Sequence, residues 1–476
     1  MKGGMQKIFE ESTTCPQKNR TASECYAGGQ TFIGITENTL TANYQSENGL
    51  LEHILSPPNL NKAYKQVKRN KGAGGVDKMQ VESLTDYLVH HKSDLINSIQ
   101  KGKYRPNPVR RVDIPKENGN LPSGKAGKRQ LGIPTVVDRV IQQSIAQQLQ
   151  LIYEPEFSVH SYGFRPKRNA HQALQKCRDY ITKGYSYAVD LDLERFFDTV
   201  DHSKLIEVLS RKVKDGRVIS LIHKYLNAGV MKDGSLEETH EGVPQGGPLS
   251  PLLSNVLLNE LDNELEKRGH NFVRYADDLV IFCKSRRSAE RTMKNIIPFI
   301  EKKLFLKVNR DKSDVATIRD IKFLGYSFYK YKGKGRLRIH PKSVEKMKAK
   351  IRQLTSRSNG WGNDRRKEAL SQYITGWVQY FKLADMERLL IKVDEWYRRR
   401  LRMVIWKQWK RVKTRVVNLI KLGINKYKAY EWANTRKGYW HIANSWILSR
   451  TVTTQRLRVA GYVFFSDCYR KVKVVY

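Results

Sequence analysis

The stretch 272–282 sets Asp277 and Asp278 between two apolar, β-prone runs, and no other feature limits the fold as sharply. Apolar runs around a short polar bend predict two strands joined by a tight turn. Two adjacent carboxylates at such a bend repel each other unless a positive charge lies nearby, and a divalent metal supplies one. Asp is also a common turn residue, so the dipeptide taken alone favours an ordinary turn.

A second strand pattern bears on these readings. In 187–193 the acids Asp190 and Asp192 fall on one face by the period-two rule, and Phe196, Phe197 and Asp198 follow. If this strand lies beside the 277–278 turn, three carboxylates converge as hard oxygen ligands for a pair of Mg²⁺ ions. Two such ions activate a terminal hydroxyl and neutralise a leaving pyrophosphate, which is the chemistry of a polymerase. The glycine-rich run 242–251 precedes a helical pattern at Leu252, Leu253, Val256, Leu257 and Leu261, with Ser250 expected as the N-cap and Pro251 at the first helical position. Its glycines allow backbone to approach a nucleotide or template, although a tight loop alone would also use them. No GxxxxGK[ST] occurs, so a P-loop nucleotidase is not supported.

Charge says what the chain touches. The 476 residues carry 87 Lys and Arg against 47 Asp and Glu, a formal charge of +40, and such an excess repels itself unless a polyanion covers it. Nucleic acid is the leading candidate. The excess is uneven: 331–476 holds 36 Lys and Arg, nine Asp and Glu and all eight tryptophans, whereas 1–50 is net −1. Most of these tryptophans are expected in the core of a helical domain with the cations as its solvated face, and the sharper reading of that face is an RNA- or DNA-binding surface; both can hold at once. Along one helix of this module Trp396, Tyr397, Leu401, Val404, Ile405 and Trp409 recur near 3.6-residue spacing. Arg398, Arg399, Arg400, Arg402, Lys407, Lys410 and Arg411 fill the gaps and are the candidate nucleic-acid contacts. The five cysteines form no CxxC, which argues against disulfide scaffolds and cysteine-rich zinc modules. No apolar run reaches the ~18 residues of a membrane span and no signal-like start is seen, so a cytoplasmic protein without a membrane partner is expected.

The ordered blocks 161–166 (SYGFRP), 190–198 (DLDLERFFD), 242–250 (GVPQGGPLS), 275–278 (YADD), 309–312 (NRDK) and 323–326 (FLGY) resemble the reverse transcriptases encoded by bacterial group II introns. Six blocks in order are far more specific than the YADD tetrapeptide alone. The resemblance implies an α+β right-hand polymerase, with fingers and palm on an antiparallel sheet, then an α-helical thumb that doubles as the maturase domain. It implies Asp277 and Asp278 as metal ligands and, because an aromatic follows five residues later, Asp192 as the remaining one. Phe197 then blocks the 2′-OH of an incoming nucleotide, and the Leu193 carbonyl faces a metal. Gln245 and Lys312 sit at the nucleotide, and Lys116 and Arg129 clamp its triphosphate.

By the same resemblance the partners are a group II intron RNA, as template and splicing partner, a DNA target and primer, and dNTPs, with no membrane. The expected organisation is a poorly ordered tail over 1–50, an N-terminal extension and the start of the fingers over 51–110, and fingers and palm over 111–330. The thumb and maturase region follows over 331–412 and a small basic region over 413–476. The chain ends at Tyr476 without CxxC pairs, so the Cys/His endonuclease of longer members is expected to be absent and the shorter class is the better match. Two other readings are a related bacterial reverse transcriptase of a defence, retron or CRISPR system, and an RNA-binding splicing cofactor whose polymerase is dispensable.

Overall fold

A computed structural model describes residues 49–120, 126–232 and 234–474, without the side chains of 115–120, 126–129 and 474. The expected tail over 1–50 lies, up to residue 48, outside the described residues; Leu50 already opens a helix and is buried. The fold is α+β, with all described strands before Pro341 and helices alone after it. Two compact units form it. Among the described residues no helix is long and apolar enough to cross a membrane.

The first unit takes the described residues of Met1–Ala173, Leu191–Ile281 and Arg291–Asp314. Its central helix is Val136–Tyr153, started by Thr135, whose hydroxyl accepts the Asp138 N–H at 3.2 Å. Val136 and Val140, and then Ile141, Ile145 and Leu149, each recur at four-residue spacing and are all buried, as a core-facing helix requires. The helix Pro57–Asn70 docks on it by side-chain amides: Asn59 Nδ2 donates to the Ser144 carbonyl at 3.0 Å and Gln147 Nε2 to Asn59 Oδ1 at 2.7 Å. Strands Val109–Asn120 and Ala126–Ile133 pair antiparallel, with Ile114 opposite Arg129. The expected antiparallel sheet has one parallel joint, Val109 beside Val230, where the Val109 N–H donates to the Gly229 carbonyl at 3.0 Å.

The second unit takes Leu174–Asp190, Phe282–Glu290 and the described part of Val315–Tyr476. The strands Tyr326–Tyr331 and Lys334–Ile339 form an antiparallel hairpin in it. Helices Asn363–Phe381 and Glu387–Gln408 bury Leu370, Ile374 and Val378 from one and Leu390, Val393, Tyr397, Leu401 and Val404 from the other. Both pack on the last helix, Phe465–Val474. Asp394, buried, fixes that helix by accepting the N–H groups of Phe465 and Ser466 at 3.0 and 2.9 Å. The tryptophans depart from expectation: Trp406 is the one fully buried, at 1% exposed, while Trp440 and Trp446 are 37% and 49% exposed. Short helices in this unit leave these rings at its surface, where Arg399 covers Trp440 and Trp446 meets Trp432 edge-on with centroids 6.0 Å apart.

Candidate active site

The acidic turn is built as its sequence predicts and is held by a residue the pattern did not single out. Strand Asn271–Tyr275 ends at Ala276, whose φ of 58° turns the chain, and Asp278 opens the strand Asp278–Cys283. Asp277 and Asp278 are both exposed. Beneath them Arg274 is buried, and its Nη1 donates to the Ala276 carbonyl at 3.0 Å and to Asn255 Oδ1 at 2.9 Å. Its Nε donates to Asp262 Oδ1 at 2.8 Å, and Asp262 is itself fully buried. A guanidinium so placed fixes the turn's backbone and thereby aims both carboxylates. The signal was present in the sequence: an arginine inside an apolar strand needs a buried acid.

The 161–166 block supports the same turn from another side. Tyr162 N–H donates to the Arg274 carbonyl at 2.9 Å, and a Cβ on Gly163 would stand 2.2 Å from the Ala276 nitrogen. Only glycine fits there. Burial, with the Asp278 charge added, pushes the Tyr275 phenol above its ordinary pKa.

Asp192 follows the strand Tyr187–Leu191 and is held by the 309–313 segment. Its carbonyl accepts the Asn309 N–H at 2.9 Å, its own N–H donates to Ser313 Oγ at 3.1 Å, and its Oδ2 pairs with Lys312 Nζ at 3.3 Å. Leu193 bridges Val308 through bonds that use the Asp192 carbonyl and the Glu194 N–H, so its own carbonyl takes no part in that bridge. Leu191, Leu193, Arg274 and Asp277 line one narrow crevice, which brings the strand end bearing Asp192 up to the acidic turn. Phe197 lies in the short turn Phe196–Asp198, edge-on to the buried Phe196 with centroids 5.3 Å apart. Its carbonyl accepts the Val243 N–H at 2.6 Å, which latches the glycine-rich loop to it.

That loop also meets the strand Ala126–Ile133. The Gln245 carbonyl accepts the Gly132 N–H at 2.9 Å, and Gly246, at φ +136°, passes so near that a Cβ would stand 2.5 Å from the Gly132 oxygen. Ser250 differs from expectation. The helix Ser250–Lys267 already includes it, Leu249 stands at the N-cap, and the Ser250 hydroxyl donates to the Pro244 carbonyl at 2.7 Å, tying the loop rather than capping the helix. The side chains of Lys116 and Arg129 lie outside the described residues; their backbones belong to the paired strands Val109–Asn120 and Ala126–Ile133.

The donor set Asp192, Asp277 and Asp278 is oxygen only and suits a hard cation such as Mg²⁺. Among the described residues no three acidic, histidine or cysteine side chains close on one point as a ready metal cage. Like charges keep such acids apart until a cation lies between them. Mg²⁺ rarely needs a cage, since it takes one or two carboxylates and completes its shell with substrate phosphates and water. The residues therefore fit Mg²⁺ in that shared form.

The seven cations proposed for nucleic acid lie on or just past the helix Glu387–Gln408 but serve differently. Arg400 donates to Thr355 Oγ1 at 3.0 Å and to the Arg352 and Thr355 carbonyls, and Arg402 to the Val452 carbonyl and Ser449 Oγ at 3.0 Å. These two staple the unit together. Arg399 lies 4.0 Å over the Trp440 ring and Lys407 5.3 Å over Tyr439. Arg398 is half-buried, whereas Lys410 and Arg411 are exposed.

Paired strands, a rigid acidic turn and a strand end that carries a further acid toward it are parts that a metal-dependent, template-copying polymerase needs. A family model for the reverse transcriptase (RNA-dependent DNA polymerase) matches residues 114–328, and one for the group II intron maturase-specific domain matches 344–423. Protein YkfC of Escherichia coli (strain K12) is 32% identical over 333 residues, 61% of this chain and 85% of that protein. The group II intron-encoded protein LtrA of Lactococcus lactis subsp. cremoris is 37% identical over 204 residues, 43% of this chain but 33% of LtrA. A putative COX1/OXI3 intron 2 protein of Saccharomyces cerevisiae is 28% identical over 325 residues, 56% of this chain and 37% of its own. Among solved structures a partial Cas6-RT-Cas1–Cas2 complex aligns with 53% of this chain and 43% of its own at 22% identity and a TM-score of 0.33, too loose to build on. The chain belongs to the group II intron-encoded reverse transcriptases, RNA-directed DNA polymerases that also carry a maturase domain.

Proposed function

We propose that this chain copies its intron RNA into DNA from a primer at a DNA target, using dNTPs and two Mg²⁺ ions, and that its second unit holds the same RNA to promote splicing. The observation that carries the polymerase half is the acidic turn: Asp277 and Asp278 stand exposed on a backbone pinned by Arg274, and Asp277 shares a crevice with Leu193, the neighbour of Asp192. The match of the maturase-specific domain to 344–423 supports the splicing half.

Asp192, Asp277 and Asp278 would hold the ions, with the Leu193 carbonyl as a further oxygen donor. Bound there, Mg²⁺ supplies activation of the primer 3′-hydroxyl and neutralisation of the leaving pyrophosphate. Arg274 keeps the turn from swinging as charge is added or removed, so little reorganisation accompanies the reaction. Lys312 offers its ammonium to Asp192 before substrate arrives and to the triphosphate afterwards. Phe197, backed by Phe196, excludes a 2′-hydroxyl, and Gln245 presents its side chain beside the incoming base. Lys116 and Arg129 reach the triphosphate from the fingers. We place the work in the bacterial cytoplasm, at the nucleoid when the enzyme is on DNA.

The test is RNA-templated extension of a DNA primer by the full chain in Mg²⁺, with the RNA surrounding the reading frame assayed for splicing in parallel. Extension that stops on chelation, with splicing accelerated by the protein, is expected. Splicing assistance without extension would reduce the chain to an RNA-binding cofactor.

A further inference from the structure

A cavity of about 360 Å³ lies within the second unit, at the low end of the ~300–1,000 Å³ range of small-ligand sites. Arg352 comes to it from the helix Pro341–Leu354, Arg357 from the loop that follows, Arg400 and Met403 from the helix Glu387–Gln408, and Trp440 from the turn of helix Tyr439–Ile442. The rest of the lining is serine, and no acid contributes to it. Arg352 and Arg357 meet aromatic faces, Trp396 at 5.6 Å and Tyr439 at 5.1 Å, rather than carboxylates. Arg400 is half-buried with carbonyl and hydroxyl partners, which take up hydrogen bonds but cancel no charge. Burial first, then Arg352 and Arg357 beside it, hold the Arg400 guanidinium below its ordinary pKa, as expected where cations converge without an anion.

Trp440 is prepared in its own way. Arg399 stacks on its ring at 4.0 Å and donates from Nε and Nη2 to its carbonyl at 3.2 and 3.0 Å, so an exposed indole is held in place without being buried. A fixed aromatic beside unpaired guanidinium charge suits a base and its phosphate. Its volume matches a single nucleotide. We infer that this pocket binds a single unpaired nucleotide of an RNA strand, its phosphate against Arg352, Arg357 and Arg400 and its base against Trp440. The inference rests on the proposed function only in taking RNA as the nucleic acid.

The experiment measures binding of the full chain to a short oligouridylate and to an RNA duplex of equal charge, with AMP as competitor. Trp440→Leu and Arg357→Ala should each weaken the single strand by roughly fivefold or more while changing duplex affinity less than about twofold. Trp440→Phe should restore most of the loss, a rescue that a damaged fold would not give, and thermal melting checks the fold directly. Equal losses on both RNAs would make these residues part of a diffuse cationic face and overturn the pocket. Unchanged affinity for the single strand, with the wild type binding RNA, would overturn it and leave the proposed function standing. A wild type that binds neither RNA would overturn both. Displacement by micromolar AMP would reassign the pocket to a free nucleotide and overturn the RNA assignment.

Discussion

Arg274 in the first unit and Arg400 and Arg402 in the second serve opposite ends. In the first, Arg274 is cancelled by Asp262, so it pins the backbone of the turn that carries Asp277 and Asp278 without bringing net positive charge to it. In the second, Arg400 and Arg402 are satisfied by carbonyls and hydroxyls, which stabilise the fold without neutralising it, so the unit stays cationic through its depth. The partner chosen for a buried cation decides whether the surface nearby reads as acid or base. One unit is thereby suited to gather metal and the other to gather phosphate.

The widest separation between them should come from salt. If the second unit holds RNA through several phosphates, affinity falls by about a thousandfold or more between ~50 and ~200 mM salt, whereas the buried Arg274–Asp262 pair is barely screened and the melting temperature hardly moves. A flat binding curve would remove the electrostatic account of the second unit. Next in size, Asp262→Ala leaves Arg274 charged and unpaired, a loss of ~3–5 kcal/mol by denaturant unfolding, and extension should fall even where the protein is still folded. Extension untouched in the folded protein would show that Arg274 does not position the turn. Phe197→Ala should shift the deoxy-to-ribonucleotide preference by at least about tenfold, the low end of what one extra group costs at a tight site, and an unchanged ratio would discard the steric role. The smallest effect belongs to the exposed Arg458–Asp467 pair at 2.7 Å, where Asp467→Ala should cost no more than ~1 kcal/mol; a larger loss would mean that surface pairs hold the second unit together.

Much of this was legible in the sequence. The turn at Asp277–Asp278, the strand leading to Asp192 and the glycine-rich loop follow from period, turn chemistry and family blocks, because each is local. What escaped depends on partners far apart in the chain. Arg274 reads as an oddity in a strand until the Ser250–Lys267 helix brings Asp262 and Asn255 beneath it. Ser250 carries every local mark of a cap, yet the loop at Pro244 takes its hydroxyl. Helical spacing picked out Tyr397, Leu401 and Val404 as core but passed over Met403 and Trp406, both buried, because neighbours on more than one side surround that helix. For the same reason it could not say which of its arginines face carbonyls and which face solvent.

The most direct test of the division between the units is to measure primer extension and RNA affinity on the same preparation of Asp277→Asn/Asp278→Asn. The substitution removes two charges from the turn while keeping its shape. Extension in Mg²⁺ should drop to background while RNA affinity stays within about twofold of wild type, since no phosphate contact is lost. Extension that persists would contradict the account at its centre.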